Sequence, residues 1–161
     1  MDRREAQREA SAAFATLEPP ESLTLDALTG LIEKDRGKKI LIRSVPHLGA
    51  DRISGLWLSL PNVELVLHAE TRSALHREQI ILHEFAHMVL RHDLLDGEDD
   101  HVASLLPDLD PSTVARVLRR CDRGSEPELA AESLADVFAA AVARGRRGQR
   151  SEPLNFRGVF G

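Results

Sequence analysis

The chain has 161 residues, 42% apolar and 29% charged, which is enough for one ordinary domain with a real core. Its 21 Lys and Arg stand against 26 Asp and Glu, and a net charge of −5 is a poor start for binding nucleic acid. The one cysteine, Cys121, excludes an internal disulfide framework and any multi-cysteine zinc finger. No run approaches the roughly 18 apolar residues of a membrane span. Met1 to Glu5 leads into alternating charges instead of the apolar core of a signal peptide, so a cytoplasmic location is expected.

Residues 2–17 read as a first helix, with Ala6, Ala10, Ala13, Phe14 and Leu17 on one apolar face, ended by Pro19-Pro20. Ser22 is placed to cap a second helix that runs to about Arg36 and closes at Gly37. Lys39 to Val45 reads as a strand, and 53–60 with 63–68 as two more, joined in a hairpin by Pro61-Asn62. A long helix follows from Thr71 or Ser73 to Arg91, apolar on nearly all sides and therefore buried. Residues 93–110 carry seven acids and no Lys or Arg, a field that favours a basic substrate stretch unless it is simply a solvated loop. Pro111-Ser112 opens a short helix to about Arg120, and Glu126 to Ala143 forms an amphipathic one. One domain over 1–143 is expected, with 144–161 a basic, flexible tail. Helices, three strands, then helices make an α+β fold.

His83-Glu84-Phe85-Ala86-His87 is an H-E-x-x-H motif inside the buried helix. Positions i and i+4 differ by about 40° and one turn, so both imidazoles point the same way and can bind zinc through bonds of about 2 Å. Glu84 lies about 100° round, beside the metal, where it can take a proton from a water whose pKa zinc lowers to about 7. With 7 His and 14 Glu, chance alone yields the bare pattern in roughly three such chains per hundred. The apolar setting is the sharper signal, because unpartnered polar groups buried there cost several kcal/mol and a metal removes that cost. Leu90 and Asp93 exclude the metzincin pattern and disfavour Asp93 as third ligand. Glu128, Glu132 and Asp136 share one face of the helix 126–143, so either Glu128 or Glu132 fits as metal ligand, with the next acid, Glu132 or Asp136, orienting a ligand histidine. A solvated acidic face would look the same. His92 falls about 180° from His83 on a continuous helix and is expected outside the site.

These segments resemble the ImmA/IrrE family of small zinc metallopeptidases, in its actinobacterial form, over residues 25–143. The text that carries the likeness is Ser54 to Leu58, VELVLHAE (63–70), QIILHEFAHMVLRH (79–92), LLPDLDPSTVARVLRR (105–120) and ELAAESLAD (128–136). The resemblance implies a minimal zincin-like domain with the motif helix beside a small antiparallel three-stranded sheet, and one zinc ion per chain. It implies Glu128 as third ligand by gapless match, with Glu132 as the rival. It also implies a protein partner, a helix-turn-helix repressor that such proteins cleave or disable. Related chains carry a tyrosine near position 123 for the oxyanion; this chain has no tyrosine. Arg123, His68 or His101 could supply the donor instead, one positioned donor being worth about 3 kcal/mol, although His68 also reads as a strand end and His101 as part of a solvated loop.

The leading expectation is thus a zinc endopeptidase acting on a protein. The rival is a zinc-stabilised module that sequesters a repressor uncut. The missing tyrosine favours the rival, and the intact Glu84 argues against it. Neither direct nucleic-acid binding nor a membrane partner is expected, and no oligomeric state is legible.

Overall fold

The computed structural model describes residues 1–46, 54–92, 116–117 and 125–160, with 116–117 and 149–160 described by their backbone. Asp93, His101, Arg123, the acidic segment 93–110 and most of the helix expected at 111–120 lie outside the described residues.

Helix α1 (Arg3–Thr16) begins at a capping box, in which Asp2 and Glu5 each accept the other's backbone N–H. Helix α2 (Leu25–Arg36) is capped by Thr24, not Ser22, because the Thr24 hydroxyl accepts the Ala27 N–H; Gly37 closes it at φ 71°. Strands β1 (Lys39–Val45), β2 (Gly55–Ser59) and β3 (Val63–Ala69) follow. Helix α3 (Ala74–Val89) starts at its Ser73 cap. A two-residue strand β4 (Arg116–Val117) precedes helix α4 (Glu126–Phe160).

The fold is α+β, as the element order implied, but the sheet is mixed, not antiparallel. Its order is β1-β3-β2-β4. The expected hairpin forms, with Leu60 N–H on Val63 O, yet β3 slots between β2 and β1 and runs parallel to β1. Glu64 supplies a physical reason. It is fully buried on β3, and the parallel register sets it beside the start of β1. Arg36 and Lys38 reach it there at 3.0 and 3.3 Å, and Trp57 Nε1 and Ser59 Oγ donate to it at 2.5 and 3.1 Å. A buried carboxylate needs such partners, and removing one of them is strongly destabilising. Arg36 also donates to Met88 O at 3.2 Å, which ties this cluster to the end of the motif helix.

Part of the expected helix 111–120 is strand instead. Arg116 and Val117 pair with Ser59 and Leu58, using unpaired groups on the outer edge of β2. Helix α4 does not stop at Ala143 but runs on through the Arg-rich segment to Phe160, where the sequence suggested a flexible tail. Gly145 is buried against Leu23, and Arg146 pairs with Glu78 of α3.

The core lies between the sheet and the helices. Trp57 and Val66 from the sheet meet Ile81, Phe85 and Met88 of α3, Leu28 and Ile32 of α2, and Leu134 and Phe138 of α4. Phe14 of α1 meets Phe138 edge-on at 5.8 Å. Among the described residues no helix is long and apolar enough to cross a membrane.

Candidate metal centre

Helix α3 presents His83 and His87 from successive turns on one face, as the i, i+4 spacing dictates. Helix α4 packs across that face with its own stripe of Ala131, Leu134 and Phe138 against the core. The same packing brings Glu128, near the start of α4, to the histidines. Its two oxygens lie 3.2 Å from His83 Nε2 and 3.2 Å from His87 Nε2, and the two nitrogens are 3.1 Å apart. Donors bonded at about 2 Å to one tetrahedral ion sit about 3.3 Å from each other. The triangle therefore fits a single small cation, and His83, His87 and Glu128 are residues that could hold one.

Burial pushes the Glu128 carboxyl up, but the hydrogen bonds and charges of His83 and His87 outweigh it and hold the group well below the ordinary carboxylate range. Glu128 is thus an anion at neutral pH, which suits a ligand. Glu132 and Asp136 are exposed on α4. They lie about 40° and 80° further round than Glu128, turned away from the histidines to solvent.

His92 does join the site, contrary to the angle expected on a continuous helix. Helix α3 ends at Val89, and Arg91 turns the chain at φ 57°. A non-glycine residue pays roughly 1–2 kcal/mol for this left-handed conformation. The turn returns His92, buried, to His87, with Nδ1 to Nδ1 2.7 Å. When His87 offers its Nε2 lone pair to a cation, its Nδ1 carries the proton and donates it to His92. That bond fixes the ring's tautomer and orientation. The sequence showed no glycine to mark this turn.

Glu84 is 2% exposed on the flank of α3 that faces the sheet. Gly55 of β2 makes its room: a Cβ at that position would lie 3.0 Å from Glu84 Oε1 and 2.5 Å from Ile80 Cγ2. The carboxylate thus occupies a notch that any side chain at 55 would fill. Gly55 escaped the sequence reading, because a glycine in a strand does not say what approaches it.

His68 is not placed as an oxyanion donor. Its Nδ1 lies 3.0 Å from Ala69 O and its Nε2 accepts from Arg77 Nε at 3.3 Å, so both ring nitrogens are engaged. Arg123 and His101 lie outside the described residues. No protein-family model, no curated protein and no solved structure matches this chain.

Proposed function

We propose that this protein is a zinc-dependent endopeptidase that hydrolyses a peptide bond in a protein substrate. The observation that carries the reading is the triangle of His83, His87 and Glu128 donors 3.1–3.2 Å apart, with a buried carboxylate, Glu84, on the next residue of the same helix. Two neutral imidazoles and one carboxylate suit zinc better than calcium or magnesium, which prefer all-oxygen sites. The resemblance to ImmA/IrrE metallopeptidases supports the same reading and adds a substrate class, a cytoplasmic helix-turn-helix repressor.

Zinc, when bound, supplies Lewis acidity toward water and toward the scissile carbonyl. The chain's own residues do the rest. Glu84 accepts a proton from the attacking water and delivers it to the leaving amine. Gly55 lets its carboxylate lie against the strand without moving helix α3. His92 holds His87 in the tautomer that presents Nε2. Glu128 would balance part of the ion's charge.

The test is Glu84→Gln. The purified variant is expected to keep about one zinc per chain and its fold while cleavage of a co-encoded repressor falls about 10²–10⁴-fold. Fragments from the wild type alone support the enzyme. If neither protein yields fragments, yet both lift the repressor from its operator, the chain is a sequestering module instead.

A further inference from the structure

Ser44, His68 and Gly55 form one row across β1, β3 and β2 at the end of the sheet. On the Gly55 side the row meets Glu84. On the other side it opens into a cleft of about 560 Å³, lined by Ser44, His68, Glu70, Thr71, Arg72 and Arg77. The cleft lies where the parallel strands β1 and β3 end and α3 begins.

The polar groups there are organised in a chain. The Ala69 carbonyl can only accept, so His68 Nδ1 carries the proton and donates to it at 3.0 Å. His68 Nε2 then has a free lone pair, which accepts the Arg77 Nε–H at 3.3 Å. His68 is 4% exposed and fixed by this bond, so it is a rigid peg for the guanidinium. Arg77 spends its Nε on that peg and keeps both terminal nitrogens without a partner among the described residues. Arg72 has no ion pair at all there. Glu70, the one acid in the lining, pairs with neither arginine. Two guanidinium groups thus line one cleft, Arg77 fixed through its Nε on His68 and Arg72 exposed beside it.

We propose that this cleft binds an oxyanion, a carboxylate or a phosphoryl group, gripped by the Arg77 fork and neutralised by Arg72, with the Ser44 hydroxyl as a further donor. A planar fork matches two oxygens of either group bidentately, and charge-assisted bonds of this kind are the strong ones. The site is separate from the metal centre and does not depend on the peptidase reading. Its place at the far end of the Gly55 row puts the bound anion on the same sheet end that Glu84 faces.

The experiment is a heteronuclear NMR titration of the full-length protein, following the Arg77 Nε–Hε and His68 Nδ1–Hδ1 signals. The probes are inorganic phosphate and acetate, each against chloride at equal ionic strength, with and without a zinc chelator. Saturable shifts of both signals are expected, unchanged by the chelator. Arg77→Gln and Arg72→Gln should each weaken binding about 10–100-fold, while Arg43→Gln, from the opposite face of β1, should leave it intact. Tighter binding of phosphate identifies a phosphoryl ligand, and tighter binding of acetate a carboxylate. Shifts that vanish with the chelator would place the anion on the metal centre and overturn the proposal. So would the absence of saturation, or binding that survives in both glutamine variants.

Discussion

Gly55→Ala tests how closely the sheet and the motif helix are coupled. The added Cβ would sit 2.5 Å from Ile80 Cγ2, where carbon atoms normally stay about 3.5–4.0 Å apart. Strand β2 is pinned by its pairing to β3, so α3 has to yield by about 1 Å. Overpacking of this kind costs about 1–3 kcal/mol, and replacing glycine in a strand returns about 0.5–1 kcal/mol. The net loss centres on about 1 kcal/mol and reaches about 2.5 kcal/mol at most, so the central expectation is a fall in Tm of about 2–4 °C for a domain of this size. Glu84 Oε1, 3.0 Å from the new atom, moves with the helix, and under the proposed role of Glu84 as the base a misplacement of about 1 Å can cost about 10²-fold in rate. His83 and His87 ride on the same helix while Glu128 sits on α4, so the shift also disturbs the donor triangle and metal affinity should weaken. Calorimetry, metal analysis and a cleavage assay read the three quantities separately. Ile80→Ala removes the clashing Cγ2, so in that background Gly55→Ala should cost clearly less, a coupling that a double-mutant cycle measures. Equal cost in both backgrounds would refute the close-approach reasoning, as would an unchanged Tm in the single variant.

Glu128→Gln is expected to weaken metal binding far more than Glu132→Gln or Asp136→Asn, whose side chains face solvent; equal losses on metal titration would count against the geometry of α4. Metal-free protein should lose stability as pH falls below 4.5, the ordinary value of the Glu128 carboxyl, because that group is depressed in the folded state, so its contribution is full above that value and is lost progressively below it. Acid titrations of the wild type and of Glu128→Gln should therefore diverge below that pH, with the variant showing the shallower fall. Gly145→Ala should destabilise the protein although alanine favours helix by about 1 kcal/mol, because its Cβ would overlap the Leu23 carbonyl oxygen; Gly148→Ala, with nothing within 4 Å, should raise Tm. A rise in Tm for both would show that α4 does not press on Leu23.

What the sequence determined by itself is local. Two histidines four apart on an apolar helix share a face because of helical pitch alone, and Glu84 falls beside them for the same reason. Pro61-Asn62 between two β-rich runs was enough to place a hairpin, and Gly37 was enough to end α2. The tertiary structure decided what local spacing does not encode. Glu128 reaches the histidines, and Glu132 does not, because of the rotation at which α4 packs on α3. His92 arrives because Arg91 accepts a left-handed turn that carries no glycine signal. The parallel pairing of β1 with β3 accommodates a buried Glu64 that needs Arg36 and Lys38, and the hairpin pattern alone is silent on which neighbour β3 takes. Gly55 carried no signal in the sequence, and only the packing of α3 against β2 shows the close approach it admits. Each of these rests on contacts between elements distant in the chain, where burial and shape decide and periodicity has no reach.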